Sequence, residues 1–327
     1  MVPLVDDMED YIRLMMEYNN KFWVLINLPL YQCILNLTGR SRNILDSTET
    51  MKYRSKLGWE GRTGEETDWS YRMQIAFYSE DFQMATDYAN KLMAIAPGQA
   101  RTFPYYQTRV FFFVLIALWN VKHCPRSSRL RKRKYMMIAK KYYAMVKSWV
   151  LKKKAINMAH KLRILDVEMK STKKTMDKRK LMLAYDEAIA SSARCGFLND
   201  AALAAHLASR TPLAKEDCRT RHLYFERALE LYEGWGATGL LDILSEKSIS
   251  GFSLIMLKDD TSRTFSHRYR EQGSFRAQEH GSSDSQHFGF RSRKRFDQRL
   301  SQQHKELVGS QLLALDDLTD EFLMLLA

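Results

Sequence analysis

Apolar residues recur along most of this chain at the three-to-four spacing of a helix, and no stretch alternates with the period of two that a half-buried strand requires. Met8, Ile12, Met15 and Met16 share one helical face, as do Phe22, Leu25 and Ile26. From Thr38 to Arg62 the pattern is broken by Gly39, Asn43, Asp46, Gly58 and Gly61, so this stretch reads as a connection. Two helices are expected next, over about Thr67–Tyr78 and Phe82–Ile95. Asp81 stands where a carboxylate accepts from the free amides of a first turn. Pro97 ends the second helix, because it has no amide donor and restricts the residue before it. The most apolar run, Val110 to Trp119, is bounded by Arg109 and Lys122. It is shorter than the roughly 20 residues needed to cross a bilayer and is expected as a core helix.

A repeat lies within the helical pattern. Tyr185, Ala188, Ile189 and Gly196 are matched forty residues later by Phe225, Ala228, Leu229 and Gly236. Between them runs AALAAHLA, Ala201 to Ala208, a small-residue helix suited to close packing. An earlier helix carries Phe82, Ala85, Ala89 and Leu92 on one face and ends at Pro97. Small alanines let antiparallel helices approach, while the larger residues fill the flanking grooves. This helix resembles the second helix of a tetratricopeptide-type (TPR) repeat, and a helix pair of about forty residues lies within the range of helical solenoids. The expected fold is all-α: a TPR-like helical-hairpin solenoid followed by a disordered C-terminal tail. Its parts are N-terminal helices and a connection over 1–62, the repeat array over 63–245, a Ser/Arg/Gly-rich disordered linker over 246–306 and an acidic amphipathic helix over 307–327. The linker is expected because Thr261 to Gln303 has too little apolar surface to offset chain entropy. The last helix combines Leu313, Leu315, Leu318, Phe322 and Leu325 with Asp316, Asp317, Asp320 and Glu321.

Composition adds little: 45% hydrophobic residues with 14 Gly and 6 Pro is ordinary for a globular, helix-favouring chain of 327 residues. Charge adds more. The total is +13, but residues 121–180 hold 21 Lys and Arg against 3 Asp and Glu, a local +18 that leaves −5 for the rest. The candidate basic surface is Arg131, Lys132, Arg133, Lys134, Lys152, Lys153 and Lys154. Such a segment could meet nucleic-acid phosphates, anionic lipid or an acidic partner, but it is favoured as the solvated face of basic helices. Met137, Tyr143, Val146 and Val150 supply the inward face on that reading. The acidic start MVPLVDDMED lacks a signal peptide's features, and no transmembrane segment is expected. Cys33, Cys124, Cys195 and Cys218 are scattered, which suits a reducing compartment and a cytoplasmic location.

No motif here carries chemistry. GWGATG, Gly234 to Gly239, has dinucleotide-binding spacing but follows the helix ALELYE, not a strand, and its glycines suit helix termination. Cys195, His206, Cys218 and His222 lack the tight pairs of a structural zinc site. His160 and Glu168, eight apart with Asp166 between them, suit a capped or solvated pair more than a catalytic dyad. No phosphate-binding loop, kinase motif or nucleophile elbow is present, so no catalytic residue, cofactor or metal is expected.

The ordered series Tyr31–Ser41 (YQCILNLTGRS), His160–Glu168 (HKLRILDVE), Tyr185–Ile189, Gly196–Ala208 and Phe225–Ala237 resembles the helical-repeat region of very large signalling proteins. These combine a protein-kinase-like domain, an AAA-type ATPase and often a sensor histidine kinase. The resemblance covers roughly residues 20–245. It implies a non-catalytic protein-interaction array lying after the ATPase, with the chain a fragment or remnant of a larger system. The implied partner is a protein or peptide, such as an ATPase or kinase domain of the same system. Its structural residues are Ala85, Pro97, Tyr185, Ala188, Gly196, Phe225, Ala228, Tyr232, Trp235 and Gly236, with Trp235 plugging the final groove. Thr211 to Thr220 and the pair Thr238–Gly239 depart from the family pattern. The alternative function is a basic helical protein binding nucleic acid or an anionic membrane surface through 121–180.

Overall fold

The computed structural model describes residues 2–57, 62–95, 104–125, 127–173, 176–211 and 217–247. They all belong to one compact unit, Met1–Leu254. Their regular structure is entirely helical. In chain order the helices are α1 (Val2–Glu17), α2 (Lys21–Leu37), α3 (Thr48–Leu57), α4 (Arg62–Tyr78), α5 (Phe82–Ala94), α6 (Pro104–His123), α7 (Arg129–Leu151), α8 (Ala159–Ser171), α9 (Lys178–Arg194), α10 (Leu198–Ser209), α11 (Cys218–Trp235) and α12 (238–247). None is long and apolar enough to cross a membrane. Pro97, residues 248–306 of the disordered linker expected at 246–306, and the helix at 307–327 lie outside the described residues, as does 212–216 of the polar connection; residues 246–247 of that linker are instead the last of α12.

Sequence neighbours pair: α1 with α2, α4 with α5, α6 with α7, α8 with α9, and α10 with both α9 and α11. Short connections such as Ser79–Asp81 make the joined helices antiparallel. Two helices are enclosed. All of Val110–Leu118 in α6 and all of Asp200–Ser209 in α10 are buried. In α10 the alanines at 201, 202, 204, 205 and 208 leave room for α9 on one side and α11 on the other. A smaller core of Val5, Ile12, Val24, Leu28 and Ile34 joins α1 to α2.

The forty-residue correspondence extends to the helix ends. Asp177 caps α9 by accepting from the Arg179 amide, and Asp217 caps α11 by accepting from the Thr220 amide. Ala188 and Ala228 are both buried. Gly196 and Gly236 end these helices with φ of 79° and 83°, a left-handed conformation that costs a residue with a Cβ about 1–2 kcal/mol.

Three expectations are corrected. The connection from Thr38 to Arg62 contains a helix, α3. Its first amides are satisfied from another element, since the Gln32 side chain of α2 accepts from the amides of Glu49 (2.9 Å) and Thr50 (3.3 Å). In α7 the buried line is Tyr135, Ala139 and Val146, whereas Met137 faces out, 62% exposed. At the end of α11 the fully buried aromatic is Tyr232, and Trp235 is half-buried beside it.

The first hairpin meets the last helices. Tyr78 of α4 lies edge-on to Tyr232 (6.1 Å) and tilted against Trp235 (6.0 Å). Thr238 donates to the carbonyl of Thr38 at 2.8 Å. Beside it Gly239 approaches the end of α2 so closely that a Cβ would stand 2.6 Å from the Asn36 carbonyl oxygen. Thr238 and Gly239 therefore close the unit.

Packing makes the first prediction. Gly239→Ala drives a Cβ into backbone that cannot yield locally, and Ala228→Leu overpacks a filled site, a change costing about 1–3 kcal/mol. Each should lower the melting temperature by several degrees in thermal unfolding followed by circular dichroism. Tyr232→Ala should cost more than Trp235→Ala, because large-to-small losses of about 3–5 kcal/mol belong to fully buried aromatics.

Candidate functional site

An open cleft of about 790 Å³ lies between α1, α2 and the segment 40–52. Val5, Ile12, Tyr31 and Leu35 give it an apolar floor, while Glu9, Arg13, Arg42 and Glu49 stand among its walls. Its mouth is held by Arg40, which donates to Asp6 at 2.9 Å, and by Asp46, which accepts from the amides of Ser47 (2.7 Å) and Thr48 (3.0 Å). Those bonds lower the Asp46 carboxyl below its ordinary range, the Thr48 hydroxyl contributing most. The size lies within the range of about 300–1,000 Å³ usual for ligand sites. On the side of α1 away from the cleft, Leu4, Tyr11 and Leu14 are exposed, followed by Tyr18 in the turn after it and Phe22 and Trp23 on α2. Tyr18 is 77% exposed. Contiguous exposed apolar surface of this kind marks interaction sites.

Away from the cleft, three carboxylates tie helices together, Asp200 and Glu168 buried and Glu80 partly buried. Asp200 of α10 accepts from His160 at 2.7 Å and from Lys161, both of α8. Burial opposes its ionisation, yet Lys161 and His160 outweigh that and lower its pKa. Glu168 accepts from Lys122 of α6 (2.6 Å) and from the Tyr185 hydroxyl of α9. Thus His160 and Glu168 do not pair; each reaches a different helix. The His160 and Asp200 side chains are both only 1% exposed, so the pair is closed to substrate and ties α8 to α10.

The third carboxylate joins the α4–α5 hairpin to the end of the unit. Glu80, in the α4–α5 turn, holds a left-handed φ of 65°. Its two oxygens accept from His206 (2.7 Å) and Arg210 (2.6 Å) at the end of α10. Lys247 of α12 donates to the neighbouring Ser79 carbonyl at 2.6 Å. The Arg210 guanidinium also lies over Phe82 (4.9 Å) and Trp119 (5.1 Å), two rings stacked 3.6 Å apart. The cavity beside this junction measures about 60 Å³, room for water and not for a substrate.

Of the residues singled out in sequence, Ala85, Tyr185, Ala188, Ala228 and Tyr232 are buried, Phe225 and Trp235 half-buried, and Gly196 and Gly236 are helix caps. They are scaffold, and none lines the cleft. Arg131, Lys132, Arg133 and Lys134 are exposed at the start of α7; Lys152, Lys153 and Lys154 are exposed past its end. At 23 residues the helix separates these groups by about 30 Å. Cys195, Cys218 and His222 are exposed while His206 is bonded to Glu80. No cluster of metal-ligating side chains occurs among the described residues. GWGATG spans the turn between α11 and α12. Sequence reasoning missed the cleft, Glu80 and Asp200; the one available signal was an aspartate entering an otherwise apolar, alanine-rich helix. No protein-family model, curated protein or solved structure matches this chain.

The Glu80 junction sets an acid limit on stability. Burial works against ionisation there, but the hydrogen bond from His206 and the charges of His206, Arg210 and Lys247 bring the carboxyl down from 4.5 to about 2. Burial moves His206 below its ordinary 6.5, Arg210 and Lys247 adding to this and Glu80 opposing it. Both groups take up protons more readily in the unfolded chain, so their contributions are present at neutral pH and lost on acidification. His206 acts as pH falls below 6.5, and Glu80 between 4.5 and about 2. Urea midpoints measured against pH should fall through both windows, and Glu80→Gln should flatten the lower one. An unchanged slope in that variant would remove Glu80 from the account.

Proposed function

We propose that this protein is a non-catalytic interaction and regulatory module of a signalling ATPase or kinase system. In this reading residues 63–245 are a TPR-like array of helical hairpins working in the cytoplasm. The cleft between α1, α2 and segment 40–52 takes a peptide or helix from the partner. The observation that carries the reading is that cleft, with apolar side chains at its base and walls of both charges. A cleft with apolar side chains at its base and charged walls suits helix-in-groove recognition, where a few anchors supply affinity and the rim sets register. The forty-residue correspondence of caps, alanines and left-handed glycines supports the repeat architecture.

The partner is tested by placing a photo-cross-linking amino acid at Arg42 or Arg13, both of which line the cleft, with Lys153 as the distant control. Irradiation in the source cells should yield a discrete adduct at Arg42 and Arg13, containing a protein with an ATPase or kinase domain. The control should yield none of it. Adducts confined to Lys153, or ATP hydrolysis by the purified chain that survives further purification, would overturn the reading.

A further inference from the structure

Helix α7 has two apolar lines, and only one of them faces the core. Tyr135, Ala139 and Val146 are buried. On the opposite side Leu130, Met137, Ala144 and Leu151 follow one another at intervals of seven, all exposed. Seven residues fall only about 20° short of two turns, so these four make a nearly straight line along the outer face. Leu130 is 83% exposed and Leu151 57%. Three residues beyond members of this line come Arg133, Lys140 and Lys147; four beyond come Lys134 and Lys141. The apolar line is therefore bordered by cations on both sides. All 23 residues of α7 include no Asp or Glu. Lys152, Lys153 and Lys154 continue the charge past its end, followed by Ile156, 83% exposed.

We propose that the outer face of α7 binds the surface of an anionic lipid bilayer, lying in the plane of the headgroups without spanning. An interfacial helix needs an apolar line to enter the headgroup–acyl boundary and cations beside it to meet lipid phosphates and carboxylates. Lysine and arginine stems lie along such a boundary while their charges stay in the polar layer. Two other occupants fit less well. A coiled-coil partner needs two apolar positions per heptad, and this face supplies one, the other being basic. Nucleic acid rewards the cations but gains nothing from Leu130, Met137 and Leu151. The aromatic rings that would stack on bases point elsewhere. Tyr135 is buried, Tyr142 lies 5.0 Å from Phe113, Trp149 packs against Tyr106, and Tyr143 donates to Asp166 at 2.5 Å.

The full chain is sedimented with vesicles of phosphatidylcholine alone or mixed with phosphatidylserine, beside a titration of a single-stranded and a duplex oligonucleotide. It should pellet with the mixed vesicles and stay in solution with the neutral ones. Leu130→Gln, Met137→Gln and Leu151→Gln combined keep every charge and should cut vesicle binding by about tenfold or more, since each removes an apolar chain from the interface. Lys140→Glu with Lys141→Glu should do the same. These side chains are exposed, and an unchanged melting temperature certifies the fold; Met137→Gln alone replaces the triple variant if that one is destabilised. Absence of vesicle binding, equal binding to neutral vesicles, or full binding by the glutamine variant would overturn the proposal. Oligonucleotide binding that is indifferent to the glutamines would assign the face to nucleic acid instead.

Discussion

A single carboxylate, Glu80, sits where three parts of the chain distant in sequence meet. The turn between α4 and α5 presents it in a left-handed conformation, and His206 and Arg210 from the end of α10 occupy both its oxygens. Lys247 holds the adjoining carbonyl from α12. Neither side can slide by a turn without leaving a charge largely out of water and unpaired, which is far more costly than the pair is favourable. The junction thus works through geometry, fixing which faces of α4, α10 and α12 meet, whereas the surrounding apolar contacts supply most of the cohesion.

The same logic explains where the positive charge of residues 121–180 goes. Their three acidic residues are Asp166, Glu168 and Asp177. Glu168 is turned inward to Lys122 and Tyr185, Asp166 binds Tyr143, and Asp177 caps α9. None borders the outer face of α7. Lys122 and Lys161 face buried carboxylates, so the cations left on that face have no acidic neighbour within their own helix. The basic segment divides into a buried share that joins helices and an outer share that gives one surface its sign.

Local features were legible in the sequence. The Asp81 cap, the buried face of Ala85 and Ala89, the core run from Val110, and the paired glycines Gly196 and Gly236 all depend on neighbours within one or two turns. What escaped depends on which helices meet. Glu80 and His206 are 126 residues apart, and no spacing rule links them. Helix α3 hides in a polar stretch because its first amides are satisfied by Gln32 of another helix. In α7 apolar residues line two opposite faces, so periodicity finds the helix but cannot choose its inner side; Met137 was assigned to the wrong one. Thr238 and Gly239 answer to the end of α2, so nothing near them in sequence explains them. The cleft, made by three elements, has no linear signature.

The contact of Thr238 with Thr38 spans 200 positions of sequence. On a ribosome adding about 5–20 residues per second, the first of these residues waits roughly 10–40 s before its counterpart exists. Through that interval the end of α2 and the α4–α5 turn lack the surfaces that later cover them. The hairpins between can form early, since their contacts are local, but closure is a late event of high contact order. Nascent chains stalled shortly before α12 would hold these edges open, making that stage of synthesis the one most dependent on chaperones.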